Sequence, residues 1–279
     1  MALFDESVVG RWSEERWFDI TAESIAAYAD AVGGPSPAYA VVPAMGLVFA
    51  VAETAAPAEL RGRVVHGQQD LFFHRPLPVG ESVAVSAAVV GLHGKRSGTV
   101  ATIGVRTRTA GGELLNEQYV TEFYRGVPTD LAVGAPAPAL PTEPPAGEPV
   151  RSAAHPLPPD LPRRYADASG DHNPIHLDDE AARAVGLPGV IVHGLASLAI
   201  ASRTALPPGA DVSRLSCRFT RPIAPGDTLT TRVWAHERGH RFECHDRAGA
   251  MVLGAGLVEL PRRSREDGRR SISNHDHLP

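Results

Sequence analysis

The chain has 279 residues, of which 43% are hydrophobic and 21% charged, and its formal net charge is −5. That length suits two ordinary domains, each able to bury a core without staples. The mildly acidic balance, with a pI near 6.2, excludes the basic field of a nucleic-acid binder, and two cysteines are too few for a disulfide scaffold. The N-terminal MALFDES lacks the basic-then-apolar order of a signal peptide, so a cytoplasmic location is expected. The first predicted element is a helix over Ile20–Val32 with Thr21 as N-cap, followed by a Gly/Pro loop and an apolar segment. Glycine-bounded strands are predicted at Ser82–Val90 and Gly98–Thr109. Val127 to Pro159 is rich in Pro and Ala and favours extended chain; residues 127–155 are read as a linker. A second helix is expected from about Pro159 to Ala168, and Val190–Ala201 is apolar on nearly every side, as in a buried helix. The most apolar stretch, Gly189–Ala201, is interrupted by His193 and falls short of the ~20 residues a bilayer needs, so no membrane partner is expected. Strands follow at Thr228–Ala235 and Met251–Leu260. Residues 262–279 are polar and aperiodic, which predicts a disordered tail; His275 and His277 in it have no further ligand spacing to suggest a metal. Cys217 and Cys244 form no CxxC or zinc pattern and read as reduced thiols in or near strands.

An internal repeat organises these elements. YADAVGGPSPAY at 28–39 aligns with YADASGDHNPIH at 165–176, an offset of 137 residues. Downstream, FHRPLPVGES at 73–82 aligns with FTRPIAPGDT at 219–228, an offset of 146. Two ordered matches at nearly one offset indicate duplication of a whole domain. The difference of nine residues places a longer helix or loop between the two blocks of the second half. In both copies the Arg-Pro segment with its later Gly-Glu or Gly-Asp reads as a turn between strands. The domains are therefore 1–126 and 156–261, each with a helix against an antiparallel sheet, an α+β plan.

Titratable groups concentrate in SGDHNPIH at 169–176. Asp171 and His176 flank a turn stiffened by Pro174, with Asn173 between them. A carboxylate accepts hydrogen bonds and an imidazole accepts or donates, so the two can hold a water, take its proton and return one to carbon. Asp and Asn are also ordinary turn formers, and the spacing by itself leaves that reading open. Neither a G-x-S-x-G elbow, a Walker loop nor G-x-G-x-x-G occurs, which removes support for nucleophilic-serine, nucleotide and hydride chemistry.

The segment 165–176, followed by GVIVHG at 189–194, resembles the signature of MaoC-like dehydratases, the (R)-specific enoyl-CoA hydratases. The first half resembles the degenerate N-terminal half of two-domain members, through VHGQ at 65–68 and HRPLPVG at 74–80. The resemblance covers about 8–126 and 156–260. It implies a double hotdog whose active site lies between the halves. Asp171 and His176 then match the catalytic pair, Asn173 a supporting polar residue, and Gly194 the glycine whose N–H binds the thioester oxygen. The first half departs from this pattern: Gly34, Ser36 and Tyr39 stand where Asp171, Asn173 and His176 stand in the second. His66-Gly67 also fits the family pattern, or else forms a turn before a strand. The implied partner is an acyl-CoA or acyl-carrier-protein thioester, with no cofactor and no metal, and with a homodimer as one possible assembly. A thioesterase, or a non-catalytic acyl-thioester-binding protein, is the alternative on the same fold.

Overall fold

The computed structural model describes residues 3–262. The expected tail at 262–279 lies, but for Arg262, outside the described residues. The first half runs β1 (Arg16–Asp19), α1 (Ala22–Val32), a 3-10 stretch (Pro37–Ala44) continuing into α2 (Met45–Ala55), then β2 (Val64–Phe73), β3 (Ser82–Lys95), β4 (Gly98–Thr109) and β5 (Leu114–Arg125). A short β6 (Ala132–Gly134) lies on β3. The second half runs β7 (Arg151–Pro156), α3 (Leu161–Ser169), α4 (Asp179–Ala184), α5 (Gly194–Ala205), β8 (Arg214–Phe219), β9 (Thr228–His236), β10 (Gly239–His245) and β11 (Met251–Glu259).

Strand order shows the duplication directly. One half reads β1-β3-β4-β5-β2, and the sheet continues β8-β11-β10-β9-β7. Exchanging each strand for its repeat equivalent turns one half into the other, so a pseudo-twofold axis passes between β2 and β8. These two central strands pair antiparallel from Gln68↔Arg218 to Phe72↔Arg214. The α2 and α5 segments lie against the inner face, and the architecture is a double hotdog. The equivalent tyrosines Tyr28 and Tyr165 meet near this axis, ring centroids 5.6 Å apart, where α1 packs on α3.

Local sequence explains the helices. Thr21 caps α1 by accepting from Ser24 N–H, as expected. Both α1 and α3 end at a left-handed glycine, Gly33 at φ 77° and Gly170 at φ 79°. Leu195 to Ser202 in α5 are all buried. The longest apolar helical run is Pro37–Ala55, rather than Gly189–Ala201; it is long and apolar enough to cross a membrane, but 67% of it is buried as the first half's core helix. The nine extra residues of the second half are absorbed by α4 and the loop that leads to α5.

Two expectations change. The segment expected as an extended linker takes part in the sheet: besides β6, β7 pairs with β9 from Arg151↔Val233 to Pro156↔Thr228 and is the counterpart of β1. As an edge strand with alternate residues exposed, it tolerates a terminal proline. His66-Gly67 is not a turn before a strand but lies within β2, at a register shift against β5. Cys217 and Cys244 are buried free thiols in β8 and β10, and burial pushes the Cys244 thiol up to about 12.

The seam between the halves carries a buried ion pair. Asp70 on β2 is fully buried and accepts from Arg214 on β8 at 2.7 Å and from Gln68 Nε2 at 2.7 Å. Arg214 also donates to the Ala139 carbonyl, and Gln68 to that of Pro138, so the inter-domain segment is tied over the seam. Removing one partner strands the other's charge. Asp70→Ala is therefore expected to cost about 3–5 kcal/mol in urea unfolding. A loss below about 1 kcal/mol, the range of an exposed pair, would show that the seam does not depend on it.

Candidate active site

The loop after α3 is built from consecutive Asx-type bonds. Asp171 N–H bonds Ser169 Oγ at 3.2 Å, Asp171 Oδ1 accepts from Asn173 N–H at 3.2 Å, and Asn173 Oδ1 accepts from Ile175 N–H at 3.4 Å. Pro174 opens a 3-10 turn that ends at His176. This turn carries Asp171 and His176 inward; each retains 7% exposure. Asn173 stays on the surface as the cap of the turn, and it reaches the pair through its backbone N–H on Asp171.

A second segment locks the first. His176 Nδ1 donates to the Ile191 carbonyl at 2.9 Å, which leaves Nε2 with a free lone pair in the neutral ring. His193 is 1% exposed; its Nε2 donates to the Asp171 carbonyl at 3.0 Å, and its ring stacks on His176 with centroids 3.7 Å apart. Tyr165 covers its far side at 4.8 Å. His193 thus touches both members of the pair. In the sequence it reads only as an interruption of an apolar run within the 189–194 motif; its place directly before a buried helix is the signal that could have marked it.

Burial sets the electrostatics. It raises the Asp171 carboxyl above its ordinary value, against the lowering influence of His176 and the Asn173 N–H. It lowers the His176 imidazole, although the Ile191 carbonyl and Asp171 favour its charged form. The two proton affinities are drawn toward each other, which suits proton exchange between donor and acceptor. His193 is pushed down to about 3, chiefly by burial, and is neutral.

Gly194 opens α5 beside the pair. The first intrahelical bond there runs from Ser197 N–H to the His193 carbonyl, and no side chain caps the helix, so the N–H groups of its first turn are free for a ligand oxygen. A Cβ on Gly194 would lie 2.8 Å from the Phe219 ring, so only glycine allows that approach. Phe219 in turn contacts His66 of the first half, ring centroids 4.4 Å apart, which brings the first half to the site. The structure therefore gathers Asp171, His176 and Gly194 and leaves the Asn173 side chain outside. Two surface hollows of about 440 and 580 Å³ are lined by residues of the first half and of the segment just after it, and touch neither member of the pair.

Asp171, His176 and His193 offer donor atoms within 4.8 Å of one another. The two rings are stacked at an interplanar angle of 25°, so their in-plane lone pairs run in nearly parallel planes and do not converge on one ion. The cluster fits hydrogen-bonded acid–base chemistry better than a cation cage. The equivalent first-half loop cannot act the same way. Gly34, aligned with Asp171, has φ 148° and sits against the Arg203 guanidinium, which donates to the Val32 carbonyl at 2.9 Å.

Both halves of the chain match known protein families. Residues 141–252 match the MaoC like domain and residues 23–126 the MFE-2 hydratase 2 N-terminal domain. The chain is 32% identical over 245 residues to 3-hydroxyacyl-thioester dehydratase Y of Mycobacterium tuberculosis, covering 80% of each chain. It belongs to the MaoC-like dehydratase family. Peroxisomal enoyl-CoA hydratase 2 of Arabidopsis thaliana is 29% identical over 212 residues, 71% of this chain and 68% of its own. A MaoC-like dehydratase from Phytophthora capsici shares the fold, with a TM-score of 0.82, 22% identity and coverage of 93% of this chain and 98% of its own.

The neutral His193 gives this MaoC-like site a stability signature. Its folded pKa of about 3 lies below the ordinary 6.5, so between those values the unfolded chain binds the extra proton and stability falls as pH falls. From pH 7 to 4.5 this one group is expected to remove about 2–3 kcal/mol. In urea titrations His193→Gln should therefore lose less stability than the native chain over that interval. Parallel losses in the two proteins would show that His193 is not held neutral.

Proposed function

We propose that this MaoC-like protein catalyses the reversible addition of water to an enoyl thioester, giving an (R)-3-hydroxyacyl thioester, on coenzyme A or an acyl carrier protein. The observation that carries the reading is the convergence of Asp171 and His176 beside the uncapped start of α5. A water held between the carboxylate and His176 Nε2 loses a proton as its oxygen bonds to C3. The C2=C3 electrons move toward the thioester, and its oxygen takes enolate charge opposite the Gly194 N–H. A proton then goes to C2, so one proton leaves water and one is returned to carbon. Either member of the pair can perform each transfer, and this acid–base chemistry requires neither metal nor redox cofactor. The related dehydratase and enoyl-CoA hydratase 2 support the same substrate chemistry. A soluble thioester substrate supports placing the reaction in the cytoplasm. Because the double hotdog already contains its own pairing of halves, a homodimer would join two complete sites.

The test follows loss of crotonyl-CoA absorbance together with release of free thiol. Native protein should hydrate without releasing thiol, and Asp171→Asn and His176→Gln should each slow hydration by about 10²–10⁴-fold. Native-like hydration in either variant would remove the mechanism, and stoichiometric thiol release would make the protein a thioesterase.

A further inference from the structure

We infer that Tyr28, in the half that lacks the acid–base pair, is a positioning residue for His176, acting through Tyr165 and His193. The inference rests on the hydratase reading and adds a residue to that same site. Five rings run in one row across the pseudo-twofold axis. Tyr39 stands edge-on to Tyr28 with centroids 5.5 Å apart, and Tyr28 lies 5.6 Å from Tyr165. Tyr165 is 4.8 Å from His193, and His193 is 3.7 Å from His176. The row begins and ends at repeat-equivalent positions, Tyr39 and His176.

The repeat itself points to Tyr28. The first half carries Gly34, Ser36 and Tyr39 where the second has Asp171, Asn173 and His176, yet YADA at 28–31 is identical to 165–168. The tyrosine is present in both copies although the acid–base pair is not. Its role in the first half is therefore not proton transfer in its own loop.

Packing shows what the ring does. Tyr28 is 1% exposed and Tyr165 is fully buried, and α1, which carries one, packs on α3, which carries the other. Neither hydroxyl has a hydrogen-bond partner among the described residues, so the contact between the two tyrosines passes through their rings. Tyr39 is anchored by the hydrogen bond between its hydroxyl and Ser24 Oγ. A rigid ring held between Tyr39 and Tyr165 limits where Tyr165 can lie, and Tyr165 in turn lies against His193. His193 donates to the Asp171 carbonyl and stacks on His176, so a displacement of Tyr165 reaches both members of the pair. Close-packed interiors transmit such displacements. A shift of ~1 Å at reacting groups can cost about a hundredfold in rate. Because the row ends on the acid–base pair, the loss falls on kcat rather than on KM.

The experiment measures kcat and KM for crotonyl-CoA hydration in the native protein, Tyr28→Phe, Tyr28→Met, His193→Gln and the double variant Y28M/H193Q, with the folding of each followed by urea unfolding. Y28F keeps the ring and should stay within about twofold of native in both constants. Y28M keeps bulk without a rigid ring and should lower kcat by about tenfold or more, with KM within about twofold. In the H193Q background the same substitution should change kcat by less than about twofold, since the path through His193 is already cut. Y28L replaces Y28M if the latter does not fold. Native-like kcat in the folded variant overturns the Tyr28 assignment and leaves the hydratase reading intact. A loss of equal size with and without His193 overturns it as well, as does a Y28F variant that loses as much as Y28M. Failure of the native protein to hydrate crotonyl-CoA counts against the hydratase reading itself, and the Tyr28 assignment falls with it.

Discussion

Two hydrogen bonds from imidazoles to backbone carbonyls hold the site together: His193 to Asp171 and His176 to Ile191. Each bridges the 170–176 turn to the 189–193 segment, which are separated by α4 in sequence. The bonds fix the ring orientations and tautomers and leave His176 Nε2 as the free acceptor of the neutral ring. They also satisfy two carbonyls that the fold would otherwise bury unpaired. A carboxyl and an imidazole brought this far from water lose charge stabilisation, and that loss shifts both proton affinities toward the range where proton exchange is easy. The same packing thus positions the groups and tunes them.

Duplication explains why only one half carries the pair. The two loops have the same entry, a helix ended by a left-handed glycine, Gly33 or Gly170. Beyond that point the first half replaces chemistry with packing. Tyr39, at the position of His176, is buried with its hydroxyl on Ser24, and Ser36, at the position of Asn173, bonds Ser202 of α5. Arg203 from the same helix lies on Gly33 and Gly34. The silent loop is therefore a docking surface for the helix whose other end opens the working site. Freed from acid–base duty, the first half brings His66 of β2 against Phe219, beside the start of α5.

Much of this was legible in the sequence, for definite reasons. The α1 helix carries its cap and its amphipathic spacing locally, and β4 is bounded by glycine and turn residues at the limits expected. The Asp171 turn was visible because Asp, Asn and Pro encode Asx bonds within a few residues. What escaped depends on partners far away in the chain. The β5 strand has Asn116, Gln118 and Glu122 on its inner face, so it lacks the apolar alternation that marks a half-buried strand. The β7 strand is hidden by Pro- and Ala-rich surroundings and becomes a strand only because β9 offers an edge. His193 looks like a flaw in an apolar segment until the fold sets its ring between Tyr165 and His176.

The central claim is geometric: one water-derived oxygen sits between Asp171 and His176 while the thioester oxygen meets the start of α5. A crystal structure of the Asp171→Asn variant with a bound (R)-3-hydroxyacyl-CoA measures this most directly. The account predicts the 3-hydroxyl within hydrogen-bonding distance of both the substituted amide side chain and His176 Nε2, and the thioester carbonyl on the Gly194 N–H. A ligand whose hydroxyl lies away from both side chains, or whose carbonyl points away from α5, would contradict it.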